Sequence, residues 1–439
     1  MKVKLSLNVK KINFFGENSY KIIMSSFYVV GGNKLNGDIY IDCAKNSLLP
    51  ILACSIMTEK EVVLKDVPRY SDVVAMCNII EYLGGIADWQ DNNLIINCKH
   101  VYKSDVPNVL ACPVRSSIFT LGPILSRFKK AKVSYPGGCD IGLRPIDIHI
   151  SGIKTLGGKV VEKNGYIYAD GENIKGGNVM LSFPSVGATE NIMMLACLIE
   201  GETKIINPAR EPEIIDLQNF INCCGGFVQG AGTNEIIIRG VKRLHGCCYK
   251  TIPDRIETGT FMIACVMCGG KLVLNNANAE HNQELITKLK KTTCKINVLN
   301  DKIITESEGK PVSFGEIETA VYPGFPTDLQ AQMMALASVS EGYSLILENL
   351  FEARFKHAGE LLKMGCDIRF KNGVCVVHGK EKIYGADVVS TDLRGGASLV
   401  LAGLRAEGYT TIDNVELIDR GYYKLEEKLS SVGADIKRI

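Results

Sequence analysis

The 439-residue chain has no excess of charge of either sign: 50 Lys and Arg stand against 48 Asp and Glu, a net charge of +2. That excludes the strongly basic surface that holds nucleic acid or an anionic membrane regardless of sequence. There is no long apolar run either. Stretches such as residues 398–404 (SLVLAGL) and 191–199 (NIMMLACLI) fall far short of the roughly 20 residues that a membrane-spanning helix needs. The opening MKVKLSLNVKKINFFGENSY carries neither an apolar core nor a small-residue cleavage site. No secretory leader is expected, and a cytoplasmic location is. No His/Cys cluster has the spacing of a zinc site, and no metal or other cofactor is expected.

Cysteine, by contrast, is abundant. The sixteen thiols do not form the compact framework of a small secreted domain, so free thiols in a reducing compartment are the simplest reading. Cys265 and Cys268 form a C-x-x-C, but it lies within the apolar stretch GTFMIACVMCGG and reads as core packing. Cys223–Cys224 and Cys247–Cys248 are adjacent pairs. The chain is 46% hydrophobic and 22% charged, which suits large cores, and its length exceeds one ordinary domain.

An internal repeat organises the whole chain. A turn after a helix-like stretch and before a strand-like one ends at Gly85, Gly158, Gly226, Cys294, Cys366 and Ala434, with spacings of 73, 68, 68, 72 and 68 residues. Glycine after a helix suits a left-handed cap. At the same period a polar cluster opens an apolar helical run, as in AKNSLLPILACSI, SVGATENIMMLACLI and DLRGGASLVLAGL, and a short β-like segment follows. Each of six units of about 70 residues therefore reads strand–helix–strand–helix–strand–strand. Helices this apolar belong inside, with half-buried sheets outside. Lys45, Arg115, Ser185-Val186-Gly187, Glu257, Asp328 and Arg394 stand at the six helix starts. Helix N-termini carry unpaired N–H groups and positive partial charge, so six starts converging on a cleft would make an anion site.

Nine motifs running in order from residue 44 to residue 429 carry a resemblance. They are AKNSLLP (44–50), PGGCDIGLRPIDIHISG (136–152), SVGATENIM (185–193), AREPEIIDLQNF (209–220), PDRIETGTF (253–261), FPTDLQAQ (325–332), FEARFKH (351–357), TDLRGGASLVLAG (391–403) and IDRGYYKLEEKL (418–429). In these the chain resembles the UDP-N-acetylglucosamine 1-carboxyvinyltransferases, enolpyruvyl transferases that begin peptidoglycan precursor synthesis. The resemblance implies an α/β fold, an inside-out α/β barrel in two domains of three repeats each. Residues 24–44 plus 253–439 would form one domain and 45–252 the other, with hinges near Ala44 and near Thr251-Ile252-Pro253. Residues 1–23 precede the family start and read as a short extension or an over-extended gene model.

The implied partners are phosphoenolpyruvate and UDP-N-acetylglucosamine. The resemblance makes Cys139 the loop thiol that protonates phosphoenolpyruvate and can form an adduct with it. It makes Lys45, Arg144 and Arg420 a cationic clamp, and Asp328 the carboxylate that takes the proton of the sugar 3′-hydroxyl. An Asp in the sequence Thr327-Asp328-Leu329 is also a good helix cap. Asn46 and Asp392 fall beside the reacting groups, Arg115 and Arg394 beside phosphate or neighbouring carboxylates. Ser185, Val186 and Gly187 match diphosphate contacts, and Arg144, Pro145, Ile146, Asp147 and His149 the uridine side. Leu350 and Arg354 complete the nucleotide-sugar set. Three departures stand out. Phe183 occupies a place where some members carry lysine, Phe119 one where some carry tryptophan, and Asp42-Cys43 replaces a frequent Ser-Gly. The loop thiol argues against the shikimate-pathway transferase of the same fold. The presence of the acid, base and clamp argues against a non-catalytic, nucleotide-sugar-binding regulatory paralogue. The sequence carries no signal for an oligomeric state.

Overall fold

The computed structural model describes residues 25–137, 141–142 and 145–439. Residues 1–24, Cys139 and Arg144 lie outside the described residues. The described strands form six four-stranded sheets of one design. In one of them Asn178–Met180 runs parallel to Glu202–Ile206, which is antiparallel to Glu235–Arg239, itself antiparallel to Phe227–Gln229. Glu235–Arg239 alternates between exposed and buried positions, the mark of a sheet with one wet face. Each sheet covers a helix that is buried nearly all round. Every residue of Arg255–Cys268 and of Gln330–Ser338 is buried, and these two helices pack against each other and against Leu393–Arg405. Helices inside and sheets outside, six times over, is the arrangement the periodicity predicts.

One exchange of strands ties the halves together. Leu35–Tyr40 leads into the first inner helix but pairs with Gly270–Asn275, while Cys248–Tyr249 leads into the fourth inner helix but pairs with Val62–Leu64. Phe27–Val30 sits between Tyr409–Asp413 and Asp435–Arg438. The buried apolar side chains accordingly fall into two clusters. One runs from Cys43 to Leu244; the other joins Phe27–Ile41 to residues 256–436. The chain crosses between them twice, and the two crossings pair with each other. The Ala44 N–H donates to the Ile252 carbonyl at 2.8 Å, and the Asp254 N–H to the Asp42 carbonyl at 2.8 Å. Lys428 reaches into this junction, 2.8 Å from Asp42 and 2.5 Å from Glu257. Burial raises the Glu257 carboxyl to about 7 despite that lysine.

The repeated turn lies one residue earlier than the sequence suggests. The left-handed residues are Gly84, Gly157, Gly225, Thr293, Gly365 and Gly433, with Thr293 at φ 65°. Gly85, Gly158 and Gly226 serve instead as contact points. A Cβ at each would lie 2.7, 2.6 and 2.5 Å from the Cγ2 of Ile80, Ile153 and Ile221. The pattern legible in sequence is therefore close packing of the turn on its own helix, with the left-handed step just before it.

Candidate functional site

The starts of the inner helices carry the residues singled out above, and several of them meet. Asp328 lies in a 3-10 turn, Thr327–Leu329, with no side-chain cap. Its carboxylate does not bond the helix amides as a capping residue would. Oδ1 accepts from Arg354 Nη2 at 2.9 Å and lies 3.5 Å from Arg394 Nε. About a third of its side chain, 32%, remains exposed. Burial alone would raise this carboxyl; Arg394, Arg354, Lys45 and Arg255 outweigh it and hold it below the usual carboxylate range. Asp392 takes the capping role instead. Its Oδ1 accepts from the Arg394 and Gly395 amides at 3.0 and 3.1 Å and lies 3.7 Å from Arg354 Nη1. Arg394 also stacks over Tyr422, 5.5 Å from the ring centre.

Lys45 and Arg420 meet from opposite clusters through a residue that the sequence gave no reason to single out. Buried Asp72, in the first turn of Ser71–Leu83, accepts from Arg420 Nε at 2.8 Å and Nη2 at 3.4 Å, and its Oδ2 lies 3.5 Å from Lys45 Nζ. Burial lowers the Lys45 ammonium and the charges of Arg394 and Arg420 lower it further, against the pull of Asp72 and Asp328. In sequence Asp72 is an ordinary helix-start acid, and its partner Arg420 is 348 residues away. Asp254 was likewise missed. Its Oδ1 caps Ile256 and Glu257 at 2.8 and 2.9 Å, while Oδ2 accepts from the Lys45 amide at 3.1 Å. The D-R-I-E pattern was the available signal, since an acid just before an apolar helix is a cap. A third pair, Arg255 Nε with Glu213 Oε1 at 2.9 Å, is buried beside them.

The remaining residues line a less charged wall. Ser185 caps Val186–Ala196 by accepting from the Ala188 amide at 3.4 Å, so Val186 and Gly187 stand at an open helix start. His149, on Asp147–Thr155, is buried and lies 3.0 Å from Asn191 through Nδ1. A Cβ on Gly187 would come within 3.2 Å of the His149 ring, so the glycine lets that ring approach the helix start. Ile146 is buried, Pro145 and Asp147 exposed. Arg115 opens the 3-10 turn Arg115–Thr120, half-buried, and Asn46 sits half-buried in the first turn of Lys45–Ser55. Leu350 is held by its amide, which donates to Glu348 Oε1 at 3.0 Å. Phe183 is exposed. Ile141 meets the segment that carries Arg354: the Ala353 N–H donates to the Ile141 carbonyl at 3.1 Å.

Chemically, four cations (Lys45, Arg354, Arg394 and Arg420) surround the carboxylates of Asp328, Asp392 and Asp72. Such a site suits a polyanionic ligand and keeps one carboxylate ionised beside it. Among the described residues no group of three or more His, Cys, Asp or Glu could hold a metal ion. No helix of the described residues is long and apolar enough to cross a membrane. Cys265 and Cys268 are buried, their thiols pushed up to about 12 chiefly by burial, as core residues are.

A model of the family described as EPSP synthase (3-phosphoshikimate 1-carboxyvinyltransferase) matches residues 29–429. UDP-N-acetylglucosamine 1-carboxyvinyltransferase 2 of Caldanaerobacter subterraneus subsp. tengcongensis is 47% identical over 95% of this chain and all of its own length. UDP-N-acetylglucosamine 1-carboxyvinyltransferase of Thermotoga maritima is 44% identical over 95% of this chain and 99% of its own. Among solved structures, the enolpyruvyl transferase NikO from Streptomyces tendae superposes with a TM-score of 0.85 at 22% identity, covering 94% of this chain and 99% of its own. EPSP synthase from Acinetobacter baumannii superposes with a TM-score of 0.70 at 18% identity, covering 94% of this chain and all of its own.

Proposed function

Since the chain belongs to the EPSP synthase family and, within it, to the UDP-N-acetylglucosamine 1-carboxyvinyltransferases, we infer that it transfers the enolpyruvyl group of phosphoenolpyruvate to the 3′-hydroxyl of UDP-N-acetylglucosamine and releases phosphate. The observation that carries the residue assignments is Asp328 held ionised among cations while a third of it stays open. In the first half-reaction the 3′-oxygen bonds to C2 of phosphoenolpyruvate, the alkene pair takes a proton at C3, and a tetrahedral ketal forms. In the second, the methyl group returns a proton to the thiolate left by Cys139, the double bond re-forms, and phosphate leaves with the proton that Asp328 had taken.

Each step needs a group that this chain supplies. A carboxylate as acidic as Asp328 is a weak base towards a free alcohol. It orients the 3′-hydroxyl and accepts its proton as the C–O bond forms and the hydroxyl becomes strongly acidic. Arg354 and Arg394 fix that carboxylate in place. Lys45 and Arg420 hold the carboxylate and phosphate of phosphoenolpyruvate, with Arg144 from the loop. The lowered affinity of Lys45 for its proton makes it a better hydrogen-bond donor to leaving phosphate. Cys139 delivers the proton to C3 and is the thiol that the epoxide fosfomycin would alkylate. Val186 and Gly187 offer amides to the diphosphate, with Arg115, Asn46, Pro145, Ile146, Asp147, His149, Leu350 and Asp392 completing the two pockets. The two apolar clusters support 24–44 plus 253–439 and 45–252 as the two domains that close on these substrates. The reaction would open peptidoglycan synthesis, and a cytoplasmic location fits it.

The test is the structure of the product. Carbon NMR after incubation with both substrates should show an enol ether on the sugar C3 hydroxyl. Attachment at another hydroxyl would contradict the assignment of Asp328, and a phosphate-bearing ketal as the end product would contradict enolpyruvyl transfer.

A further inference from the structure

Four thiols gather where one outer helix ends and the strand to an interdomain crossing begins. Cys223 closes the helix Pro212–Cys223 and Cys224 is its cap; Cys247 immediately precedes the strand Cys248–Tyr249, which Cys248 opens. Cys224 Sγ lies 3.3 Å from Cys247 Sγ. Cys224 is buried, Cys247 half-buried, and Cys223 and Cys248 are exposed. The two segments are already held together without a covalent link. The His245 N–H donates to the Cys224 carbonyl at 2.9 Å, and the Tyr249 hydroxyl to the Asp216 carboxylate at 2.6 Å. Two residues further on, the chain enters the crossing that pairs with Asp42–Ala44. The enolpyruvyl-transfer reading uses none of these thiols.

We propose that Cys224 and Cys247 form a reversible disulfide with small-molecule disulfides as oxidant, stapling the helix Pro212–Cys223 to the root of the second crossing. A disulfide needs its sulfurs about 2.05 Å apart. Side-chain rotation can close the gap from 3.3 Å because the backbones are already fixed side by side. In the first step Cys247 loses a proton to solvent and its thiolate attacks one sulfur of the small disulfide, expelling one small thiolate. In the second, Cys224 loses its proton and attacks the Cys247 sulfur, expelling nothing further from the small molecule but the second thiolate already bound there. Two protein thiols lose two electrons and two protons, and one small disulfide becomes two thiols. The hydrogen bond from Cys224, then burial, holds the Cys247 thiol above its ordinary range, and burial with Cys247 holds Cys223 up to about 11. The thiolate is scarce at neutral pH, so the reaction should be slow there and about tenfold faster per pH unit up to pH 9.

The experiment is to incubate the full-length protein with oxidised glutathione at pH 8, block free thiols, digest without reductant and sequence the linked peptides by mass spectrometry. The expected result is a peptide pair joined through Cys224 and Cys247 and released by dithiothreitol. In Cys224→Ser the expected species is glutathione retained on Cys247. A dominant linkage between any other two cysteines, or glutathione accumulating on exposed cysteines while Cys224 and Cys247 stay free, would overturn the proposal. The readout is the linkage itself, so it stands or falls apart from the enolpyruvyl-transfer reading.

Discussion

The two walls of the site are built from the same repeat yet differ in kind. On the wall of the carboxy-terminal cluster, Asp328, Arg354, Asp392 and Arg394 are tied to one another by ion pairs and backbone bonds, and Arg394 is packed on Tyr422. On the facing wall the third helix start, Ser185-Val186-Gly187, has no charge at all, and Phe183 stands exposed before it. Under the proposed enolpyruvyl transfer the two walls would do different work. Groups that meet changing charge must be fixed before the reaction begins, and mutual pairing fixes them. A diphosphate keeps its charge throughout, so open amides with room to approach are enough.

Asp72 joins Lys45 to Arg420 from opposite clusters, and substitutions there and on either wall should act in different ways. The largest effect should come from the loop. Cys139→Ala should abolish turnover while circular dichroism and thermal melting stay as in the unmodified protein; normal phosphate release would remove the acid assignment. Asp328→Asn should lower kcat by about 10²–10⁴ with smaller changes in either KM, as expected if that wall works on the reacting atoms. Asp72→Asn should do the opposite, raising the KM for phosphoenolpyruvate by about tenfold or more through the loss of Lys45 and Arg420 alignment. It should also cost about 3 kcal/mol in denaturant unfolding, because two mostly buried cations lose their shared partner. An unchanged KM would make Asp72 merely a stabilising residue.

A smaller effect belongs to stability. His357 is fully buried behind Asp392, and burial pushes it down to about 4, with Arg354 adding to burial and Asp392 opposing it. The unfolded imidazole titrates near about 6.5. Between those values the unfolded chain binds the extra proton, so this group makes stability fall as pH drops from 6.5 towards 4. Urea midpoints for His357→Gln across that range should show a shallower decline than the parent. The smallest effect should be on the uncharged wall. Phe183→Lys should lower the KM for the nucleotide sugar a few-fold, the size of one exposed charge contact, and leave that for phosphoenolpyruvate unchanged.

Much of this was legible in sequence because it is periodic. Six polar-to-apolar transitions marked the inner helices, and their starts marked Lys45, Arg115, Ser185, Asp328 and Arg394. The turn was misplaced by one residue because Gly84–Gly85, Gly157–Gly158 and Gly225–Gly226 are each doubled, and only geometry distinguishes the left-handed member from the packed one. Asp328 and Asp392 both read as caps in sequence, yet only Asp392 bonds its helix amides, while Asp328 pairs with Arg354 from outside both helices. Asp72 was not legible at all. An acid in the first turn of a helix is common, and its meaning lies in two cations delivered by other elements, one of them from the side of the other apolar cluster.

The central claim is best tested by following phosphate release from phosphoenolpyruvate with UDP-N-acetylglucosamine and, in parallel, with shikimate 3-phosphate. Enolpyruvyl transfer to the nucleotide sugar predicts release with the first acceptor alone. Release with shikimate 3-phosphate, or none with either from folded protein, would contradict it.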